Sequence, residues 1–228
     1  MRRVAVYAGT RAVYGSMVAA AKSLLSHTRI DRVWFLTEDD VFPYPLPDIV
    51  KTKNVSGQKW LDPNGPNANS KWTWMSQIRL CLPELFPDEI RVLWLDVDTY
   101  VEDDIGNLFD IDLDGNYMAM VEEPVRSKYP FTYYNAGVIL MDLARLRKDG
   151  IQRKWLRLVN TVQFTAQEQD AINLICQGEI LTIGCEYNSA GVITQDAEEP
   201  LIRHYAGYLR SQMADVYHRY EKAEWRVR

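Results

Sequence analysis

Two carboxylates one residue apart, Asp96 and Asp98, close an unbroken apolar run, Val92-Leu93-Trp94-Leu95. Residues two apart in an extended chain point to the same side, so both acids can face one site. Such a run reads as a strand covered on both faces. Open α/β sheets hold their ligands in the crevice beyond the carboxyl ends of those strands. Two hard oxygen donors there suit Mg²⁺ or Mn²⁺, and a divalent ion would in turn neutralise a diphosphate. Taken alone, Asp-x-Asp is also common as a solvated strand end. A second acidic run, Asp110-Ile111-Asp112-Leu113-Asp114-Gly115, opens like a calcium-binding loop. Its twelfth position, which needs a bidentate Glu, is Val121, and strand-like residues follow where a helix is required.

The elements around the acid pair alternate between strand and helix patterns. Val4–Ala8 reads as a buried strand. Residues 16–27 read as a helix with Met17, Ala20, Ala21, Leu24 and Leu25 on one face. Further strands are expected at 33–36 and 49–55, giving the βαβ rhythm of a mostly parallel sheet. Residues 56–70, with two Gly, two Pro and several Asn and Asp, read as an excursion loop. A helical stripe follows over 71–85, bent or ended by Pro83. The second half predicts strands at 117–121, 137–141, 180–183 and 201–205. Helices are expected at 143–159, interrupted around Gly150, and at 166–176. No repeat, low-complexity tract or linker divides the chain, so residues 1–228 read as one domain.

Composition narrows the function classes. The chain has 228 residues, 47% hydrophobic and 25% charged, the balance of a soluble globular protein with ample core material. A net charge of −5 argues against nucleic-acid binding, which needs a basic surface. No stretch is long and apolar enough to span a bilayer. The N-terminus enters a short strand directly, so a cytoplasmic location is expected. Cys81, Cys176 and Cys185 follow no zinc spacing and read as reduced thiols. The 217–228 segment mixes Tyr220 and Trp225 with Arg219, Lys222, Arg226 and Arg228. It reads as a solvent-facing helix end, with weak contact to an anionic membrane surface as the alternative.

From Arg79 onward, the order of short motifs resembles glycosyltransferase family 8, which includes glycogenins and bacterial lipopolysaccharide galactosyltransferases. The motifs are Arg79-Leu80-x-x-Pro83-Glu84-Leu85, Leu93-Trp94-Leu95-Asp96-Val97-Asp98-Thr99 and Tyr134-Asn135-Ala136-Gly137-Val138. Glu168-Gln169-Asp170-Ala171-Ile172-Asn173, Tyr187-Asn188 and His204-Tyr205-Ala206-Gly207 follow. The resemblance implies a GT-A fold: a single α/β domain with a Rossmann-like, mostly parallel mixed sheet and flanking helices. It also implies Mn²⁺-dependent transfer of a hexose from a UDP-sugar, with retention, to a glycan, glycolipid or protein acceptor. Mg²⁺ is the alternative ion.

Carried over residue by residue, Asp96, Asp98 and His204 are the expected metal ligands. Outside the family, a residue such as His204 is more often a hydrogen-bonded histidine near a strand end. Arg210 is expected to meet the diphosphate and Arg79 the donor sugar and phosphate; on spacing alone Arg79 is a surface cation on a helix. Asn135 and Gly137 are expected to line the donor pocket, Gly137 where the backbone approaches closely or simply at a strand start. Val97 and Gly207 complete that set. Gln169 is expected to face the positive charge developing on the sugar, and Asp170 to bind donor hydroxyls or the acceptor. After the first strand the chain departs from the family pattern, with Ala8-Gly9-Thr10-Arg11-Ala12-Val13-Tyr14 and no acid. Backbone groups of Ala8 and Thr10 are expected to read the base edge and Tyr14 to stack on it. Two other readings use related features: a sugar-nucleotide nucleotidyltransferase and a non-catalytic nucleotide-sugar-binding module. The loop 56–70 and the segment 125–133 are expected to shape the pocket.

Overall fold

A computed structural model describes residues 1–68, 72–124 and 129–228. Residues 69 and 70 of the excursion loop, the first residue of the 71–85 stretch and 125–128 of the 125–133 segment lie outside the described residues. The strands are β1 (Val4–Ala8), β2 (Arg32–Thr37), β3 (Val50–Asn54), β4 (Arg91–Leu95), β5 (Thr99–Val101), β6 (Met118–Glu122), β7 (Tyr134–Asp142), β8 (Ile180–Thr182) and β9 (Ile202–His204). Seven of them form one sheet in the order β3-β2-β1-β4-β7-β6-β8. Only β7 runs against the others, pairing antiparallel with both β4 and β6. The mixed, mostly parallel α/β sheet is the GT-A arrangement. β9 does not join this sheet; it pairs with β5 in a separate two-stranded ribbon.

The helices are α1 (Tyr14–His27), α2 (Leu82–Leu85), α3 (Gly106–Phe109), α4 (Leu143–Lys148), α5 (Ile151–Thr161), α6 (Gln167–Ile175) and α7 (Ala214–Lys222). Alternation along the strands sorts side chains into two cores, one per face. Val4, Val6, Val92, Trp94, Ile139 and Met141 join one core, with Trp155 of α5 and Ile172 of α6. Ala5, Tyr7, Leu93, Leu95, Val138 and Leu140 join the other, with Met17, Leu24 and Leu25 of α1. Both faces of the central strands are therefore covered, which is why β4 reads as a continuous apolar run.

Three local expectations are corrected. First, α1 is not buried on one face only: Ala19, Lys22 and Ser23 are buried as well. α7 packs against its outer side, where Ala19, Tyr100 and Val216 form a small cluster. Second, the 71–85 stripe is not one α-helix. It is a 3₁₀ helix, Trp74–Cys81, running into α2, where Pro83 sits in the first turn instead of breaking the element. With three residues per turn, side chains three apart stack in line. Thr73, Ser76 and Arg79 fall on one line, Trp74 and Gln77 on a second, and Met75, Ile78 and Cys81 on a third. Third, the aromatic residues near the C-terminus face the protein. Tyr220 stacks on Tyr100 with ring centroids 5.9 Å apart, and Trp225 lies 5.6 Å from the Lys22 ammonium. Among the described residues no helix is long and apolar enough to cross a membrane.

Candidate active site

β4 ends at Leu95, and the chain then turns instead of remaining extended. The Thr99 N–H and Oγ1–H both donate to the Asp96 carbonyl, at 3.1 and 2.7 Å. Asp96 and Asp98 thus converge through a tight turn at the strand end, not through strand alternation. The ribbon brings in the third group: Thr99 of β5 pairs with His204 of β9, and the Tyr205 N–H donates to the Asp98 carbonyl at 2.9 Å. One ligand atom each from Asp96, Asp98 and His204 lies within 4.8 Å of the others. His204 Nε2 is 3.3 Å from Asp98 Oδ1 and 4.0 Å from Asp96 Oδ2.

The histidine is oriented for this role. Its Nδ1 is 2.8 Å from Asn188 Oδ1, an acceptor, so Nδ1–H donates there and Nε2 is the nitrogen that faces the acids, its lone pair free once Nε2 loses its proton. Two carboxylate oxygens and one imidazole nitrogen suit a divalent ion such as Mn²⁺. The donor set therefore fits the metal that the motif implies. Burial opposes the charge on His204, but Asp98 chiefly, with Asp96, outweighs it and raises the imidazole pKa. Burial would likewise raise Asp98, yet His204 and Arg210 hold its carboxyl well below the usual range. A metal must displace the His204 proton, so Mn²⁺ affinity should climb as pH rises through the raised His204 pKa. Titration calorimetry from about pH 6 to 8 checks this, and a flat profile would contradict the histidine ligand.

Asp96 is held from behind. Its Oδ1 accepts from Arg79 Nη2 and from the Trp94 indole, each at 2.8 Å. The Arg79 guanidinium stacks over the Trp94 ring at 4.5 Å and also bonds the Ser76 and Ala136 carbonyls. Glu168 lies 3.3 Å away, its carboxyl raised by burial against the opposing pull of Arg79. Arg79 is 3% exposed and its donors are engaged by protein. It holds Asp96 in place while lining the cleft.

These groups open onto a cleft of about 430 Å³, within the ~300–1,000 Å³ range of ligand pockets. Ala8, Thr10, Arg79, Asp96, Val97, Asp98, Asn135, Gly137, Gln169, His204, Gly207 and Arg210 all line it. Arg210 is the exposed cation of the set: its side chain is 63% exposed and Nη2 reaches Asp98 Oδ2 at 3.1 Å. Gly207, at φ +58°, makes the left-handed turn that starts the 3₁₀ helix Gly207–Gln212 carrying Arg210 back to the acids. Gly137 has a different reason to be glycine. A Cβ there would lie 2.2 Å from His204 Cε1 and 2.5 Å from Nδ1. The close approach expected of Gly137 is therefore to the histidine.

Gln169 is clamped at both ends. Its Oε1 accepts from the Ala136 N–H at 2.8 Å, and its Nε2 donates to Glu123 Oε2 at 3.0 Å. Glu123, 1% exposed, also accepts from Asn135 Nδ2 at 2.7 Å. Asn135 Oδ1 takes hydrogen bonds from the Gly137 N–H and from Asn188 Nδ2, each at 2.9 Å. The register shift between Ala119 and Val121 in the β6–β7 pairing brings Val121 opposite Asn135, with Glu123 next along the chain.

Two expected residues do not reach the cleft. Tyr14 is 1% exposed; its hydroxyl donates to Asp39 and accepts from the Glu38 N–H, each at 3.0 Å. Its ring packs on Phe42 at 4.8 Å, so it has no face to offer a base. Asp170, also 1% exposed, takes the Tyr133 hydroxyl at 2.5 Å and the Thr165 and Ala166 N–H groups at 3.1 and 3.0 Å. It fixes the start of α6 under Gln169 and does not face a donor sugar. Asn188, Trp94, Glu168 and Glu123 were given no role from sequence. The first three stand inside the quoted motifs, and Trp94 lies two residues before Asp96; Glu123 had no sequence signal.

Known proteins share this fold. The solved structure of the glycosyltransferase GlyE from Streptococcus pneumoniae superposes with a TM-score of 0.76 at 20% identity, covering 99% of this chain and 61% of that one. The galactosyltransferase LgtC, solved in complex with donor and acceptor sugar analogues, gives 0.74 at 19% identity and 95% coverage of both chains. These likenesses show the fold. In sequence, GlyE is 25% identical over 199 residues, 82% of this chain and 48% of the relative. A lipopolysaccharide 1,2-glucosyltransferase of Escherichia coli is 26% identical over 128 residues, 50% of this chain and 38% of the relative. The chain thus spans about half or less of the length of these two curated relatives. The family profile described as Glycosyl transferase family 8 matches residues 17–211, a stretch that holds both acids, the histidine and the clamped glutamine. Motif order, fold and profile agree, and the chain belongs to glycosyltransferase family 8.

Proposed function

We propose that this chain is a retaining hexosyltransferase that takes a UDP-sugar donor with Mn²⁺ and passes the hexose to a hydroxyl of an acceptor. The observation that carries the reading is the Asp96–Asp98–His204 cluster in the wall of the cleft. An ion held by those three groups supplies Lewis-acid stabilisation to the departing diphosphate. Every other contribution comes from the chain. Arg210, poised on Asp98 and largely exposed, swings onto the phosphates as their charge grows. The anomeric C–O bond breaks, the electron pair leaves with the diphosphate, and positive charge develops on the sugar ring. Gln169 Oε1, which uses one lone pair on the Ala136 N–H, keeps another for that charge. A clamped amide is a poor covalent nucleophile, so the acceptor hydroxyl attacks from the face the diphosphate vacates and gives its proton to a phosphate oxygen.

The segment Ala8-Gly9-Thr10, with Val97 and Ile193, forms the end of the cleft that suits the nucleoside. Tyr14 has no part in holding it. Incubation with a panel of UDP-hexoses should release UDP only when Mn²⁺ or Mg²⁺ is present, and faster with a suitable acceptor. If no UDP-sugar is turned over and UDP does not bind with Mn²⁺, the proposal fails and a different activated sugar must be sought.

A further inference from the structure

The 3₁₀ helix Trp74–Cys81 separates the cleft from a second cavity of about 320 Å³, bounded by residues 56–68 and the end of α5. Thr73, Ser76 and Arg79 face the cleft, whereas Trp74 and Gln77 face the second cavity. Polar side chains lock this second wall in place. Gln58 Oε1 accepts from the Trp60 and Leu61 N–H groups, each at 2.8 Å. Asn160 accepts from the Asp62 N–H and donates to the Trp60 carbonyl. Asn67 donates to the Val159 and Val162 carbonyls and accepts from the Phe164 N–H.

Other polar groups on the cavity are not used up. Gln77 is 4% exposed; its Nε2 donates to the Asn67 carbonyl at 3.3 Å, and no donor among the described residues reaches its Oε1. The Trp74 indole N–H has no acceptor there either, whereas those of Trp60 and Trp94 donate to Glu84 and Asp96. One oxygen of Glu38 accepts from the Arg11 N–H, which leaves its other oxygen available. Leu61, Pro63 and Val159 supply apolar wall, and no Lys or Arg lies among the described lining residues. An indole, unpaired amide and carboxylate acceptors, and no cation suit a neutral polyhydroxylated ring and reject a phosphate. The volume stands near the lower end of ligand pockets, ~300 Å³, enough for one or two pyranose rings.

We propose that this cavity is a second carbohydrate subsite, which takes a neutral pyranose between Trp74 and Gln77. Binding there is independent of the donor cleft. Its identification as part of the acceptor glycan's seat rests on the hexosyl-transfer reading above. The test uses the full chain labelled with ¹⁵N-tryptophan, whose seven indole N–H signals report each Trp separately. Trp74→Phe keeps an aromatic ring and identifies the Trp74 signal by its loss. Lactose, maltose and cellobiose are titrated, with a disaccharide containing a uronic acid as the charged control.

A saturable shift of the Trp74 signal with a neutral sugar is expected, and it should persist when UDP and Mg²⁺ fill the first cleft. Gln77→Leu should weaken it about tenfold. The proposal is overturned if Trp74 stays still for every neutral sugar up to its solubility, as it would were the cavity only a place for water. It is equally overturned if only the charged sugar binds, or if UDP abolishes the shift. Should Trp74 titrate while no UDP-sugar is ever turned over, the hexosyl-transfer reading falls and the subsite stands.

Discussion

Asp98→Asn is expected to remove metal-dependent turnover, by about 10²–10³-fold or more, while leaving the fold in place. The amide nearly matches the carboxylate in shape, so the turn at the end of β4 and the β5–β9 ribbon keep their backbone bonds. What disappears is the charge. Asp98 is 6% exposed and faces both His204 at 3.3 Å and Arg210 at 3.1 Å. Without it, a divalent ion loses one anionic ligand and the imidazole loses its principal charged partner. Thermal unfolding separates this from simple destabilisation. The wild-type chain should be stabilised by Mn²⁺, by ~2.7 kcal/mol at a hundredfold excess over the dissociation constant. The variant should melt as a folded protein yet show almost none of that gain. Equal stabilisation of both by Mn²⁺, with turnover retained, would remove Asp98 from the ligand set.

Gly137→Ala should do comparable damage by displacing the histidine. The added methyl would stand 2.2 Å from His204 Cε1 and 3.0 Å from Asn135 Oδ1, distances that force something to move. His204 is 2% exposed and has little space to retreat, and its Nδ1 contact with Asn188 fixes the ring plane. Tilting the ring breaks that contact and turns Nε2 away from the acids. A stability loss of about 1–3 kcal/mol is expected from overpacking. Mn²⁺ affinity should fall about 10–100-fold, the usual cost of disturbing a ligand's support. Asn188→Ala should mimic the affinity loss with little of the overpacking cost. If Gly137→Ala binds Mn²⁺ as tightly as the wild type, the glycine is a strand residue and nothing more.

The acid pair and the strand before it were legible because they lie in one short stretch of chain. The run Val92–Leu95 announces burial on both faces, and the sheet supplies it. His204 was legible only through motif order, since nothing local to residues 201–205 shows that β9 leaves the main sheet to pair with β5. The burial of Arg79 was hidden for a related reason: on spacing alone a basic residue on a helical stripe reads as exposed, yet Trp94, Asp96 and Glu168 enclose it. Tyr14 and Asp170 stood next to the right segments but turn inward to hold Glu38, Asp39 and the start of α6. The 3₁₀ geometry of Trp74–Cys81 was invisible because a pattern repeating every three residues resembles one repeating every 3.6 over so short a stretch. Glu123 reached the cleft through a register shift in strand pairing, which no pattern of residue types encodes.

The β5–β9 ribbon has a consequence for how the protein comes into being. It joins Thr99 to His204, so the centre closes a long loop of chain, and that closure carries an entropic cost that local contacts do not. β1 to β4 can pair among themselves as a parallel core while the later third is still unmade. During synthesis the Asp96–Asp98–His204 centre is therefore completed late, after the histidine has emerged and docked. Metal affinity at the proposed site would in this sense report on completed assembly: a half-formed chain holds the two acids but lacks the imidazole that closes the set.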